Sequence, residues 1–223
     1  MPSDSRAMHL VHRAFRREFT NLPTLIRSVA DGDTGRAGVV ADHVELLNVF
    51  LHDHHHAEDE HVWPKLKERV ADELEPLVQT MEDQHQGLDR VLRELSERAA
   101  AWRATGAAGA RDQLAETADE VITVLFEHLV LEEDEILPLI DRHLEEAEWA
   151  LVGKAALDGL PKPMLPIVAG MVLYEADTEG WSIMKAEVPP VMWLVLSRLA
   201  PRAHRRYSKR VYGTPAPPRF VTA

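Results

Sequence analysis

Within HDHHHAEDEHVWP, residues His52 to Pro64, His54 and Glu58 stand four apart. On a helix that spacing puts both side chains on one face, about 6 Å apart along the axis. An imidazole and a carboxylate stacked in this way can reach a single metal ion. Taken alone, the run from His54 to His61 could equally be a solvated helix face that binds divalent metals loosely. What sets it apart is a second copy. Residues 128–138 read HLVLEEDEILP, with His128 and Glu132 again four apart. A proline follows each glutamate by six positions, Glu58 to Pro64 and Glu132 to Pro138, so H-x3-E-x5-P occurs twice at an offset of 74.

The repeat continues upstream. His12 heads HRAFRREFTNL and His85 heads HQGLDRVLREL, which aligns Phe15 with Leu88, Phe19 with Leu92 and Leu22 with Leu95. His12 precedes His54 by 42 residues and His85 precedes His128 by 43. A repeat of this length decides the architecture before local detail does. Each unit offers two imidazoles and one carboxylate: His12, His54 and Glu58 from the first, His85, His128 and Glu132 from the second. Two histidines and a carboxylate per ion form the open set of non-haem iron sites that handle oxygen. A structural zinc site would be closed and usually richer in cysteine. With two such sets face to face, Glu58 and Glu132 can bridge two ions and leave positions for water, an oxo bridge, O2, NO or peroxide.

Helices must position these groups. Residues 5–31 carry Met8, His12, Phe15, Phe19, Leu22 and Ile26 at 3-4 spacing, and Asp31-Gly32-Asp33 with Gly35 stops the pattern. Residues 37–70 form a second helix with Leu47, Phe50, Leu51, His54, Glu58 and Val62 inward. Pro64 is expected to kink it or to end its regular bonding. Residues 74–104 form a third, with Met81, His85, Leu88, Leu92 and Leu95 in register, ended by Gly106 and Gly109. Residues 111–146 form a fourth, with Val121, Val124, Leu125, His128, Glu132 and Ile136 inward. No stretch of strict alternation argues for strands. Four long amphipathic helices with short connections predict an all-α, up-down-up-down four-helix bundle over residues 1–146. Six unpaired ionisable groups on its buried faces would be costly without a cation.

With 223 residues, 45% apolar and 28% charged, the chain can bury a sizeable core. A net charge of −12 disfavours nucleic acid as a partner. The absence of cysteine excludes disulfides, thiolate metal sites and thiol chemistry. The first residues, MPSDSRAMHLVHRAF, contain no apolar signal-peptide core, which makes the cytoplasm the expected location. The expected partner is a small diatomic gas or peroxide. No membrane is expected, and a homodimer is allowed.

The ordered set His12, HHHAED at 54–59 with Trp63-Pro64, His85, and His128-x3-Glu132-Glu133 with Leu137-Pro138 resembles the hemerythrin-like family, in particular bacterial HHE cation-binding proteins. The resemblance covers roughly residues 5–146. It implies a four-helix bundle holding two non-haem iron ions, oxo- or hydroxo-bridged, with O2, NO or peroxide chemistry or iron sensing. Oxygen-carrying members have a fifth histidine from an H-x3-H pair on the third helix. Here Met81 and Asp89 stand four residues either side of His85. Their fourth helix uses H-x4-D where this chain has H-x3-E. The four-His, two-Glu set looks more like di-iron proteins linked to iron–sulfur repair under nitrosative stress, without the cysteine-bearing domain those often carry.

The other polar residues read as spectators: His9, His43, His52, His55 and His56 exposed, Glu133 and Asp59 facing outward. His61 and Glu135 occupy equivalent positions and read equally as partners behind the ligands or as solvent-facing residues. Residues 147–212 have no counterpart in the repeat and are expected to be a helical extension packed on the bundle, apolar over 164–180 and 188–200. Arg198, Arg202, Arg205, Arg206, Lys209 and Arg210 then form a basic cluster, expected to lie against the acidic bundle, with a membrane-surface or partner-binding helix as the alternative reading. Tyr174 and Tyr207 could approach an open metal position. Residues 213–223 read as a disordered tail. Four functions fit: a reversible O2 or NO sensor or carrier, a redox enzyme acting on peroxide, NO or O2 in oxidative or nitrosative stress, an iron storage or donation protein, and a structural bundle with adventitious zinc. The ligand set argues against the last.

Overall fold

The computed structural model describes residues 3–70 and 74–220, which form helices and no strands among the described residues. Four elements make the bundle: α1 (Arg6–Arg27), α2 (Thr34–His61) continued by α3 (Trp63–Arg69), α4 (Glu75–Thr105), and α5 (Ala108–Leu131) continued by α6 (Leu137–His143). α1 packs on α5, α5 on α4, α4 on α2, and α2 closes on α1. This is the all-α four-helix bundle that the repeated pattern predicts.

Local chemistry places the ends. Asp33 Oδ1 accepts from the Arg36 amide at 2.8 Å and caps α2. Gly106 closes α4 at φ +64° and accepts a 2.9 Å hydrogen bond from the Gly32 amide. A Cβ at Gly106 would meet the backbone of residues 32 and 33 at 3.0–3.1 Å, so only glycine joins the two turns.

The two prolines act as their chemistry requires, in different ways. Proline lacks an amide donor and its ring clashes with the carbonyl four residues back. In the first unit regular bonding lapses at Val62, and Pro64 sits in the first turn of α3. In the second the helix widens into a π turn over Glu132–Ile136 before Pro138 enters α6. Glu132 is the first residue of that turn.

Two apolar clusters bracket the bundle. The larger contains Phe15, Phe19, Leu47, Leu51, Leu88, Leu92, Trp102 and Leu125. The smaller contains Met8, Trp63, Leu66, Met81, Ile136 and Ile140. Along every bundle helix the predicted ligands fall between residues of the first cluster and residues of the second.

After the bundle come α7 (Glu146–Gly159), α8 (Leu165–Glu175), α9 (Thr178–Glu187) and α10 (Pro190–Tyr212). α7 lies on α2, α8 and α9 on α1, and α10 on α8. Arg17, 1% exposed, ties α8 to α1 by pairing with Glu18 and Glu175. The segment after Gly213, which composition reads as disordered, has partners over its described part: Tyr174 donates to the Pro217 carbonyl at 2.8 Å, and Phe220 meets Phe126. Residues 221–223 lie outside the described residues. No helix among the described residues is long and apolar enough to cross a membrane.

Candidate metal centre

α1 supplies His12, α2 supplies His54 and Glu58, α4 supplies His85, α5 supplies His128, and the π turn supplies Glu132. All six are at most 5% exposed and converge at mid-bundle. Glu58 faces both ways: Oε1 lies 3.3 Å from His54 Nε2, and Oε2 lies 3.6 Å from His85 Nε2. One oxygen of Glu132, Oε2, lies 3.4 Å from His12 Nε2 and 3.5 Å from His128 Nε2. Such gaps suit donors that share a cation bonded at about 2 Å to each. The donors fall into two sets, His12 with His54 and Glu132, and His55 with Glu58, His85 and His128. Within each set the ligand atoms lie within 4.8 Å of one another.

The seventh residue, His55, corrects the reading that places it in solvent. It is 2% exposed, stacks on His85 with ring centroids 4.3 Å apart, and meets His128 edge-on at 4.8 Å. The signal was present: Leu51, His55, Glu58 and Val62 follow the same 3-4 spacing as Leu47, Leu51, His54 and Glu58. α2 buries both lines because α1, α4 and α7 all pack on it. His52 and His56 are exposed, as expected.

Asp59 and Glu133 do not simply face outward. Asp59 Oδ1 accepts from His85 Nδ1 at 2.7 Å and from Trp63 Nε1 at 2.8 Å. Glu133 Oε1 accepts from His12 Nδ1 at 2.9 Å and from Arg16 at 2.6 Å. The residue after each unit's glutamate thus binds the upstream histidine of the other unit, a cross-pairing that the repeat itself encodes. Gln84 Oε1 lies 3.3 Å from His128 Nδ1. A carboxylate only accepts, so the Nδ1 atoms of His12 and His85 carry the protons and Nε2 turns a lone pair inward.

Those inward atoms have no hydrogen-bond partner among the described residues. They are Nε2 of His12, His54, His85 and His128, both ring nitrogens of His55, and both oxygens of Glu58 and of Glu132. Buried polar atoms are nearly always satisfied. Ten orphans that converge in two groups, all lone-pair donors except the one His55 nitrogen that carries its proton, fit a pair of divalent cations and fit poorly with an ordinary core.

The electrostatics agree. Burial pushes the His54, His55 and His128 imidazoles well below their usual pKa, helped by the neighbouring histidines, which keeps them neutral and ready to ligate. Burial, and then the facing charge of Glu132, pushes Glu58 well above the carboxylate range. A cation between the carboxylates removes that conflict. Behind the ligands, burial opposes ionisation of Glu133, but hydrogen bonds from His12, His9 and Arg16 outweigh it and hold the carboxyl far below its usual value.

The remaining expectations divide. His9 is exposed and 3.8 Å from Glu133. His61 is within 4 Å of Glu60, and Glu135 is exposed. Neither tyrosine enters the cluster: Tyr207 bonds to His43, and Tyr174 to Pro217. His43, read as exposed, is buried where α10 crosses α2, bonded to Tyr207 at 3.1 Å and Tyr212 at 2.9 Å, with Glu18 at 3.3 Å. Only the extension makes that position interior.

A family model described as the hemerythrin HHE cation binding domain matches residues 3–140. Comparison with curated proteins and with solved structures gives no match.

Proposed function

Because the chain belongs to the hemerythrin HHE cation-binding family, we propose that it holds two non-haem irons and binds O2, NO or peroxide at one of them, in an oxidative or nitrosative stress response. His12 and His54 would hold one ion and His55, His85 and His128 the other, with Glu58 and Glu132 each within reach of both sets. Iron in such a set supplies a one-electron couple at each ion and an exchangeable position for a small ligand.

The observation that carries the reading is the uneven donor count. Sequence spacing gives each ion two histidines and leaves both equally open. Buried His55 adds a third imidazole on one side only. An ion held there would have more of its positions filled by protein than one held beside His12 and His54. On that open side Phe15 covers His54 at 5.1 Å between ring centroids. An apolar wall and near-complete burial admit a small uncharged molecule and exclude larger substrates. Asp59 and Glu133 hold the Nδ1 protons of His85 and His12, so those protons stay on the imidazoles. This arrangement favours reversible binding by a sensor or carrier over turnover by a redox enzyme or release of stored iron.

The test is rapid mixing of the anaerobically reduced, iron-loaded protein with O2, followed by an argon purge, then the same with NO. The expected result is an absorption change that reverses under argon with ferrous iron recovered. Permanent oxidation in one mixing step, with sustained consumption of added peroxide, would replace this reading with the redox enzyme.

A further inference from the structure

Helix α10 does not use its basic cluster as expected. Arg210 pairs with Asp42 of the bundle at 2.9 Å. Among the described residues Arg198, Arg202, Arg205, Arg206 and Lys209 make no ion pair. Arg198 and Arg202 bond only to carbonyls of their own helix. All five are exposed.

The inner side of α10 is small and buried. Ala200, His204, Ser208 and Val211 are its buried residues, and Ala200 and His204 meet Gly170 of α8. There a Cβ at Gly170 would come within 2.3 Å of the Ala200 carbonyl oxygen, so the two helices touch at the backbone. That contact fixes what faces solvent. Val191, Val195, Arg198, Arg202, Arg205 and Lys209 follow one line at 4-3-4-3-4 spacing, with Leu194, Leu199 and Arg206 beside it. The first part of this face is apolar and uncovered: Val191 is 79% exposed, Leu194 55%, Leu199 51% and Val195 50%. Trp193 meets Trp181 of α9 at 5.6 Å, and both rings are part-exposed at the same end. The second part is a cationic row about 17 Å long.

We propose that this face docks the protein on an anionic lipid surface, with the apolar end of α10 in the headgroup–acyl boundary and the cationic row on the phosphates. Aliphatic residues backed by tryptophan and continued by arginine and lysine are the composition that rests at a bilayer interface. The overall charge of −12 opposes approach to such a surface. However, screening over about 8 Å at physiological salt confines that repulsion, so the five cations at the contact dominate. A second copy fits the face less well. Laid parallel, it sets cation against cation, and laid antiparallel, it sets each cationic row against an apolar end. Since no described helix can span a bilayer, the association is with the surface. This takes the membrane-surface reading of the basic cluster over the expectation that it lies against the bundle, and it is independent of the iron reading.

The test uses the full chain, iron-loaded, with vesicles of phosphatidylcholine alone and with about one-third phosphatidylglycerol. Co-sedimentation should require the anionic lipid and fade with salt, and tryptophan emission should shift to the blue. Each cation contributes about fivefold, so Arg202→Glu with Arg206→Glu should weaken partitioning by at least about 25-fold. Val195→Asp with Leu199→Asp should abolish the emission shift. Unchanged circular dichroism and iron content in both variants would show that the fold is intact. The proposal is overturned by no binding to either vesicle, or by equal binding to both. It is also overturned by a lipid-free dimer that Val195→Asp with Leu199→Asp splits, which would make the second copy the occupant.

Discussion

His55→Leu should change sign between the iron-free and the iron-loaded protein. In the iron-free state both ring nitrogens of His55 are buried without partners. A polar group stripped of water in this way costs about 1–3 kcal/mol, and leucine of similar bulk carries none. The lost stack on His85, 4.3 Å between centroids, offsets part of the gain, about 0.5–1.5 kcal/mol for aromatic pairs. The net is a stabilisation of about 0.5–1.5 kcal/mol, or roughly 1–6 °C in Tm for a chain of this size. In the loaded state the variant loses a direct donor. Removing a partner that merely orients a ligand already costs about 10–100-fold in metal affinity. The second iron should therefore weaken by more than about 100-fold, near 2.7 kcal/mol. The measurements are thermal unfolding with and without iron, and iron retention against a graded chelator, with exposed His56→Ala as the unaffected control. If His55→Leu lowers the iron-free Tm and leaves both irons in place, His55 is an ordinary core histidine and the uneven pair is wrong.

Asp59→Asn and Glu133→Gln should each lower iron affinity by about 10–100-fold without preventing folding, because they loosen the protons on His85 and His12; chelator competition reads this, and unchanged affinity in both would remove their role. The iron-free protein should also lose stability as pH falls below about 6.5. The unfolded chain then takes up protons that folded His54, His55 and His128 refuse, and that His204, lowered to about 4 chiefly by burial, refuses as well. Each such histidine contributes stability that is complete above the unfolded pKa and is lost at up to about 1.4 kcal/mol per pH unit below it. Glu58, raised well above its usual range by burial and by Glu132, acts in the opposite sense, as do Asp53, Glu175 and Glu187, which burial raises less, but only Glu58 among them is shifted as far as the buried histidines. Tm measured from about pH 7.5 down to about 5 should fall steadily, and a flat profile would contradict these shifts.

The doubled H-x3-E-x5-P and its upstream histidines were enough to place four helices, their inward faces and the six residues that converge at mid-bundle. The reason is that a four-residue spacing on a helix is a statement about direction, and the apolar residues in register with His12, His54, His85 and His128 say which direction is inward. The bundle's turns were legible on the same footing, since Asp33 and Gly106 act through their own backbone neighbours. How wide an arc each helix buries is a different kind of quantity, set by how many neighbours pack on it. α2 is covered by α1, α4 and α7, so its buried arc takes in His55 as well as His54; seen along α2 alone, His55 is one more member of a polar run. Likewise Asp59 and Glu133 are acidic residues beside ligands until α4 and α1 bring His85 and His12 against them. His43 is a surface histidine until α10 crosses it. The cations of α10 were visible as a cluster, but whether they would meet the bundle's carboxylates depended on which side of that helix turned toward α8. The backbone contact at Gly170 decided it, and that contact exists only in the assembled structure.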